Sequence, residues 1–348
     1  MSSVAPSYSA ARQLSSQEMP DLQSLLFWGF EGTIDHRISL DDAGFRELDL
    51  EPPQEDQERF VTRAELNALL ERLRQTGHAP SSAPGGSPLI SAVTASNWLR
   101  GQGAPATVRF VGARPQGLSG YVKGGSRGLL SLAPVNPAIG GTLALEYRPS
   151  SSKLMLSVPD GRWLDEDLAS RSVAAICDAV FVLKPGIVGV GIGGLNKADL
   201  GAVLHIIENV RRLPVPVLIF ASGSSFRRDV TGARPPNFWD RLRDVFAAVD
   251  VVSLSATEQR QLNAHWGESW LERMLEGTAL KLAVRHSSGD AACRLSSRAH
   301  AVIDDPNDVL PLARAEATRF AVRALTGLGA RFDGVVSAAL LLRWHADL

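Results

Sequence analysis

A glycine-rich turn near the C-terminus carries the sharpest chemical signal in the sequence. It runs Leu325-Thr-Gly-Leu-Gly-Ala-Arg-Phe-Asp333-Gly and is followed by the apolar run VVSAALLLRW. A glycine turn that opens a buried helix presents unpaired backbone N–H groups and the positive end of the helix dipole. Gly327 and Gly329 therefore predict a site that binds phosphate or stabilises charge on a phosphoryl group in transfer. The alternative is a glycine linker between two packed helices.

A second glycine motif, GVGIGG at residues 189–194, has the G-x-G-x-x-G spacing of a dinucleotide-binding turn. It lies in mid-chain, and the next predicted strand ends in Ala221-Ser222-Gly223, where a ribose-binding Asp or Glu is expected. In a chain with 31 glycines such a match arises easily. A closely packed strand end is therefore the favoured interpretation. A nicotinamide-dependent enzyme is a distant third functional hypothesis.

The histidines and cysteines of the sequence form no known metal-binding pattern. The 7 histidines show neither H-x-x-x-H nor H-E-x-x-H spacing. The 2 cysteines, Cys177 and Cys293, are too few for a disulfide framework or a multi-cysteine zinc site. Both lie in apolar surroundings and are predicted to be inert core residues.

The elements that must position these residues alternate regularly from about residue 165. Predicted strands and helices follow one another at 164–178 (helix), 179–183 (strand), 189–194 (strand end), 196–212 (helix), 215–221 (strand), 238–247 (helix), 250–254 (strand), 257–275 (helix) and 280–286 (strand). Two helices, at 311–325 and 332–345, close the chain. This rhythm predicts an α/β fold with a doubly wound, mostly parallel sheet flanked by helices.

Composition divides the chain further. Residues 1–20 are rich in Ser and Ala without periodicity and predict a disordered tail. We assign residues 21–32, 60–112 and 161–348 to the large α/β core, which would bind the nucleotide. Residues 33–59 and 113–160 are assigned to a smaller β-rich lid over the substrate, because the second segment is rich in Gly, Ser and Pro and carries short alternating runs.

Charge and hydropathy exclude several classes of partner. Lys and Arg number 36 against 37 Asp and Glu, so the net charge of -1 supplies no basic field for nucleic acid. The longest apolar runs, at 173–183 and 335–342, are too short to span a bilayer. We expect a cytoplasmic protein without nucleic-acid or membrane partners. The oligomeric state is not predicted.

Seven segments are weak signals singly but informative in their order. They are LLFWGFEGTIDH, PGGSPLISAVTASNWLRGQG, TVRFVGARPQGLS, TLALEY, VDVVSLSATEQRQL, LKLAVRHSSGDAAC and TGLGARFDG. This order resembles the ribokinase-like superfamily, and most closely its branch of ADP-dependent glucokinases and phosphofructokinases. In that family the segments are, respectively, the first strand, a Gly-Gly loop with its helix, a strand and turn, a lid strand, an N-x-x-E segment, a strand beside the nucleotide base and a G-x-G-D motif. The resemblance covers about residues 24 to 345.

The resemblance implies a cleft that binds a nucleotide and a small hydroxylated substrate. Asp35, Gly85 and Gly86 match positions near the substrate, although Asp35 as a turn cap and the glycines as a plain loop remain alternatives. The positions that match the nucleotide side are Ser255, His286 and Gly289. Glu258 matches the Glu of N-x-x-E, which helps arrange Mg²⁺ and its waters; a solvated residue in the first turn of a helix is its alternative. ADP or ATP is the implied phosphoryl donor, with a slight preference for ADP.

Two positions depart from the family pattern. Ala330 stands where the family has the Asp that takes the proton from the substrate hydroxyl, and Ser255 stands in place of the Asn. Asp333 lies about 4.5 Å further along the helix axis and would serve as the base only if the loop is reset. Loss of a general base typically costs about 10²–10⁴-fold in rate. The sequence thus leaves two hypotheses: a sugar-kinase-like phosphotransferase of weak or lost activity, or a noncatalytic pseudokinase that binds a metabolite or a protein.

Overall fold

The computed structural model describes residues 23–55, 57–104, 106–122, 127–133, 135, 141–150, 152–158, 166–183, 185–193, 195, 200–223, 237–286, 291–295, 310–311, 313–314 and 328–343. These residues form two β-sheets with helices packed on them. The predicted fold class is confirmed: the larger sheet is mostly parallel and has helices on both faces. The predicted tail at residues 1–20 lies outside the described residues.

The strands divide between a seven-stranded and a five-stranded sheet. The large sheet has the order β12-β11-β10-β9-β8-β1-β5, with strands β1 (Gln23–Glu31), β5 (Ala106–Ala113), β8 (Ile187–Ile192), β9 (Val217–Ser222), β10 (Val251–Ser255), β11 (Leu282–His286) and β12 (Ala291–Leu295). The small sheet has the order β3-β7-β6-β2-β4, with strands β2 (Thr33–Leu40), β3 (Gln57–Phe60), β4 (Ser81–Gly85), β6 (Thr142–Tyr147) and β7 (Lys153–Ser157).

The described helices are α1 (Asp42–Glu47), α2 (Arg63–Gln75), α3 (Ser87–Gly101), α4 (Glu166–Leu183), α5 (Leu200–Val210), α6 (Phe238–Ala248), α7 (Ala256–Trp266), α8 (Trp270–Gly277) and α9 (Leu328–Arg343). Two single turns of 3₁₀-helix, Leu118–Gly120 and Arg127–Leu130, follow β5. None of these described helices combines the length and the apolar character needed to cross a membrane.

The large sheet is buried on both faces, which explains why its strands are almost wholly apolar. Along β1, Leu26 and Trp28 face one core while Leu25 and Phe27 face the other, since successive side chains of a strand point to opposite sides. The first core is closed by helices α4 to α8 and the second by α3 and α9. Only β12 runs antiparallel to its neighbour, β11.

The small sheet has one apolar face, which packs against α1 and α2. Leu143, Leu145, Leu154 and Leu156 of β6 and β7 meet Leu66, Leu70 and Leu73 of α2 in this separate cluster. Helix α2 begins at the predicted capping box: the Thr62 hydroxyl accepts from the Glu65 N–H, and the Glu65 carboxylate accepts from the Thr62 N–H.

The boundaries of the two parts differ from the sequence assignment at two places. Residues 60–85 were assigned to the large core, but α2 and β4 belong to the small sheet, because the apolar stripe of α2 is covered there. Residues 113–133 were assigned to the lid, but Leu118, Leu129 and Leu130 are buried in the core beside β5. The alternating strands β6 and β7 do lie in the small sheet, as predicted.

Two predicted elements have another form. The apolar run at 179–183 was predicted as a strand but forms the last turns of α4, because a short apolar run suits a buried helix equally well. The single helix predicted over 257–275 is two helices, since Gly267 with φ +79° ends α7. Helix α9 begins at Leu328 rather than at 332. Cys177 and Cys293 form no disulfide and are only half-buried, with Cys293 packed against the second core. Burial raises the pKa of the Cys177 thiol.

Candidate functional site

Several polar groups meet at the carboxyl-terminal ends of the central strands. Gly29 ends the straight part of β1 and Gly193 follows β8, and a Cβ on either glycine would lie within 2.8 Å of the Pro88 ring of α3. The two glycines therefore allow the first turn of α3 to approach the edge of the sheet closely. Next to them, Gly223 follows β9 and lies against Glu258, which follows β10. Ligands of parallel sheets bind along this kind of edge.

Asp35 and Gly85 are in direct contact across the small sheet. A Cβ on Gly85 would lie 1.8 Å from Asp35 Oδ1, so only glycine is tolerated beside this carboxylate. The Thr33 hydroxyl donates to Asp35 Oδ1 over 2.8 Å. The Arg37 guanidinium lies 3.6 Å from Asp35 Oδ2. Asp35 is only 8% exposed, and the cation offsets part of the free-energy cost of burying its charge.

Gly86 joins β4 to α3 with φ +81°, a left-handed conformation that glycine adopts at little cost. No side chain caps the N-terminus of α3. The three predicted substrate-binding residues, Asp35, Gly85 and Gly86, therefore lie together where α3 begins.

A second group of polar residues, here called the Asp333 cluster, consists of Ser253, Glu258, His286 and Asp333. The Ser253 hydroxyl of β10 donates to Asp333 Oδ1 over 2.5 Å. His286 Nε2, at the end of β11, lies 3.8 Å from the same oxygen. Ser253, Glu258 and Asp333 are each at most 7% exposed. A Cβ on Gly329, in the first turn of α9, would lie 3.1 Å from the His286 ring.

The electrostatics of the cluster favour the neutral forms of Asp333 and His286. Burial raises the pKa of Asp333 to about 7; the hydrogen bond from Ser253 acts in the opposite direction, and the charge of Glu258 adds to the increase. Burial also lowers the pKa of His286 to about 4. A carboxyl group with a pKa near 7 is suited to proton transfer at neutral pH.

Glu258 takes part in the start of α7. Its Oε2 accepts a 2.7 Å hydrogen bond from the Ser255 N–H, and the Ser255 hydroxyl accepts from the Glu258 N–H. Ser255 thus caps the helix. Among the residues with described positions, no group of three or more His, Cys, Asp or Glu side chains is arranged to hold a metal ion. Since Mg²⁺ commonly keeps several waters and one or two carboxylates, Glu258 suits a contact through water rather than a protein cage.

Helix α3 connects the two groups. The Ser91 hydroxyl donates to the Ala330 carbonyl over 2.7 Å, and both residues are buried. Gly334 lies against the Ser91 backbone, where a Cβ would meet the carbonyl oxygen at 2.5 Å. Because Ser91 is about 7.5 Å along the axis from Gly86, the start of α3 lies close to the first turns of α9.

The structure thus brings together most of the site residues proposed from the sequence, in two neighbouring groups. Gly327 and Gly289 lie outside the described residues. The roles of all of them remain predictions. Thr33, Arg37, Ser91 and Ser253 were not singled out in the sequence. The alternation Thr33-x-Asp35-x-Arg37, which places three polar residues on one face of a strand, was an available signal for two of them.

The dinucleotide interpretation of GVGIGG is wrong for this fold. Gly189 and Gly191 lie inside strand β8 rather than in a turn. A Cβ at Gly189 would lie 2.8 Å from Leu25, and one at Gly191 would lie 2.5 Å from Phe27. These glycines therefore make room for large side chains of β1, as the alternative of a closely packed strand held.

Comparison with solved structures gives matches along nearly the whole chain. Adenosine kinase from Anopheles gambiae matches with a TM-score of 0.58 and 12% identity, covering 92% of this chain and 95% of that one. Adenosine kinase from Trypanosoma brucei brucei gives 0.53 and 12%, with 94% and 100% covered. Fructokinase from Xylella fastidiosa, solved with bound ATP, gives 0.53 and 14%, with 93% of each chain covered. No family model and no curated protein matches the sequence.

The chain therefore shares its fold with these adenosine kinases and this fructokinase. None of these three neighbours is an ADP-dependent glucokinase, and the branch that the sequence resembles stays a prediction. At 12–14% identity the likeness shows the fold alone, and a shared fold does not by itself establish an activity.

Proposed function

We propose that the protein is a phosphotransferase that moves a phosphoryl group from ADP or ATP to a hydroxyl of a sugar or sugar phosphate. The observation that carries this proposal is the buried Asp333 carboxyl group, with a pKa of about 7, close to the start of α9. Burying an ionisable group is costly, and strongly shifted pKa values in buried polar clusters are common at catalytic sites. The cluster lies at the carboxyl edge of the sheet, where ligands bind in open parallel sheets.

In this proposal each group has one task. Asp35, Gly85 and Gly86 hold the substrate, and Ser255, His286 and Gly289 border the nucleotide. Backbone N–H groups at Gly327 and Gly329, including those of the first turn of α9 that lack helical partners, bind the transferring phosphoryl group. Mg²⁺, contacted by Glu258 through water, would neutralise phosphate charge when bound.

Asp333 is the proposed base. It accepts the proton of the substrate hydroxyl while the hydroxyl oxygen forms a bond to phosphorus and the bond from phosphorus to the departing nucleotide breaks. Asp333 occupies the second turn of α9, and its Oδ1 accepts from Ser253. The amino end of α9 favours the negative charge on the oxygens of the transferring phosphoryl group.

A noncatalytic binding protein is the second candidate, and Ala330 favours it. The resemblance assigns the base to the position of Ala330, which is only 7% exposed and has a methyl side chain. The Ala330 carbonyl accepts from the Ser91 hydroxyl. In this alternative the nucleotide or metabolite cleft persists without phosphoryl transfer, and the protein acts through a ligand or a protein partner.

Nucleotide binding is the first experiment. The melting temperature of the full chain is measured with Mg²⁺ and ADP, ATP or AMP at equal protein concentration. A ligand at 100 times its dissociation constant stabilises by about 2.7 kcal/mol and should raise the melting temperature by a few degrees. A shift with ADP or ATP supports the proposal and shows which donor fits. No shift with any nucleotide contradicts the phosphotransferase and favours the noncatalytic candidate that acts through a protein partner.

Catalysis is then tested by phosphoryl transfer to a panel of sugars. We expect Asp333→Asn to lower the rate by about 10²–10⁴-fold while nucleotide binding persists. Ala330→Asp restores the carboxylate at the family position, and Ala330→Asn is its uncharged control of equal size. If the wild type is inactive and only Ala330→Asp gains turnover, the chain is a kinase that has lost its catalytic base but kept an intact cleft. If neither variant changes a folded, inactive protein, the binding role is favoured.

A further inference from the structure

The second face of the small sheet is polar, in contrast to the face that α1 and α2 cover. On β2 it carries Thr33, Asp35, Arg37 and Ser39, because alternate residues of a strand share a face. The same face of β6 carries Thr142, Ala144 and Glu146, which pair in register with Asp35, Arg37 and Ser39. Asp35 lies against Gly85, directly before α3, so this polar face adjoins the proposed substrate site.

Arg37 holds a fixed place on this face. Its side chain is only 11% exposed, as is that of Asp35, and the two groups lie 3.6 Å apart. The backbone around it is also held, since the Ser81 hydroxyl of the neighbouring strand donates to the Arg37 carbonyl. Its partner in register on β6, Ala144, is buried and small.

Asp35 and Arg37 together present an acceptor and a donor side by side. The Asp35 carboxylate accepts from Thr33 at one oxygen and faces Arg37 with the other. A guanidinium group carries five N–H donors in a rigid plane, so it pairs with a carboxylate and still donates elsewhere. Such a pair matches two adjacent oxygens of a polyhydroxylated molecule, one of which donates while the other accepts.

We propose that Arg37 is a specificity residue of this site: it fixes the Asp35 carboxylate and donates to a substrate oxygen adjacent to the hydroxyl that Asp35 binds. This inference rests on the proposed function, because it assumes that the substrate occupies the Asp35 side of the cleft. It concerns substrate affinity and leaves the nucleotide side unchanged, since the Asp333 cluster lies on the large sheet.

The test compares Arg37→Gln and Arg37→Lys with the wild type in the full chain. Arg148→Gln is the matched control, because Arg148, directly after β6, is also an arginine beside a carboxylate, 3.9 Å from Asp41, but its side chain is 61% exposed. The melting temperature is recorded with Mg²⁺-ADP or Mg²⁺-ATP and then with D-fructose, D-ribose or adenosine as the hydroxylated probe. Circular dichroism checks that each variant is folded.

We expect Arg37→Gln to lose about 10- to 100-fold in probe affinity, as for a charge-assisted hydrogen bond, with an unchanged nucleotide shift. Arg37→Lys should recover part of the affinity, because lysine keeps the positive charge but lacks the planar array of N–H donors. This recovery separates positioning from a merely structural role, and it remains measurable if Arg37→Gln does not fold. Arg148→Gln should match the wild type.

Three results overturn the inference. In the first, Arg37→Gln binds the probe as the wild type does. In the second, Arg37→Lys loses nucleotide and probe affinity in parallel, which marks a folding role. In the third, the wild type responds to nucleotide but to none of the three probes, so the polar face does not read hydroxyl groups. Absence of a nucleotide shift is a different failure, that of the proposed function.

Discussion

Asp333 and His286 lie side by side inside the protein, and burial moves their pKa values in opposite directions. The pKa of Asp333 rises from 3.8 to about 7, while that of His286 falls from 6.5 to about 4. Between these limits the folded protein keeps both groups neutral, whereas the unfolded chain charges both. Their effects on the pH dependence of folding therefore nearly cancel between about pH 4 and 6.5.

The two contributions separate when one residue is replaced. From about pH 4 to 7 the unfolded chain releases the Asp333 proton and the folded protein keeps it, so Asp333 lowers stability progressively as pH rises. Asp333→Asn removes this loss and keeps an oxygen that accepts from Ser253. We expect the variant to match the wild type near pH 4 and to exceed its stability at about pH 8 by about 1–3 kcal/mol. Urea denaturation at both pH values measures this difference.

His286 then acts alone in the variant. Because the unfolded chain binds a proton at His286 below about pH 6.5 and the folded protein does so only below about pH 4, the stability of Asp333→Asn should rise with pH across this interval. Asp240→Asn is the control, since Asp240 is 74% exposed. An equal difference between Asp333→Asn and wild type at all pH values would contradict the raised pKa.

The sequence identified site residues only where a short motif contained them. The turn around Gly329 is a local pattern, and Ser255 and Glu258 stand in a short segment that resembles the family's N-x-x-E motif, although their capping interaction appears only in the structure. The contact of Asp35 with Gly85 spans 50 positions and rests on strand pairing, and only the family resemblance suggested it. Ser253 gave no signal, because a serine inside VVSLS is indistinguishable from a strand residue that faces another way.

At the scale of elements, the approach of α3 to α9 determines the geometry of the site. Ser91 and Gly334 touch through their backbones, and Ser91 also holds the Ala330 carbonyl in the first turn of α9. Small residues at such a crossing let two helices approach closely. The position of the α9 N-terminus, which the proposed phosphoryl site needs, therefore depends on a residue without a side chain.

Gly334→Ala tests this dependence. Alanine favours a helix interior by up to about 1 kcal/mol over glycine, but its Cβ would lie 2.5 Å from the Ser91 oxygen. Since backbone atoms cannot yield as a flexible side chain does, we expect a net loss of about 1–3 kcal/mol in unfolding free energy, together with a smaller nucleotide-induced rise in melting temperature. Gly101→Ala, where a Cβ meets nothing within 4 Å, should be neutral or slightly stabilising.

The elements were predictable where periodicity and length agreed. Amphipathic α2 and the buried strands of the large sheet were recognised from their patterns. The end of α4 was taken for a strand because Ala-Val-Phe-Val-Leu is apolar throughout, which suits either structure. The packing partner of an element was harder to predict than whether it is a helix or a strand. Nothing local in the apolar stripe of α2 indicates whether the helix covers the large sheet or the small one.

At the scale of the whole molecule, a buried ion-pair network and the residues of the proposed reaction lie at opposite ends of the strands of the large sheet. Asp250 precedes β10 at the end of the sheet opposite to the Asp333 cluster and is 1% exposed. Its carboxylate accepts from the Ile219 N–H and from Arg211 and Lys281, at 2.7 to 3.0 Å. This network joins β9, the segment after α5 and the segment before β11. The Asp333 cluster lies at the carboxyl ends of the same strands.

Asp250→Asn should therefore lower stability without changing ligand binding. The asparagine keeps an acceptor for Ile219 but leaves two cations without their buried counter-ion, and removal of one partner of a buried ion pair costs about 3–5 kcal/mol. Because Arg211 and Lys281 are 31% and 26% exposed, water offsets part of this, and we expect a loss of about 2–3 kcal/mol in urea denaturation. Asp240→Asn, at an exposed pair, should cost less than about 1 kcal/mol.

The nucleotide-induced rise in the melting temperature of Asp250→Asn should remain that of the wild type, since the strands between the two ends are packed on both faces and hold the carboxyl edge in place. A rise that disappears in Asp250→Asn while the far-ultraviolet circular dichroism stays native would show that the two ends of the sheet are coupled.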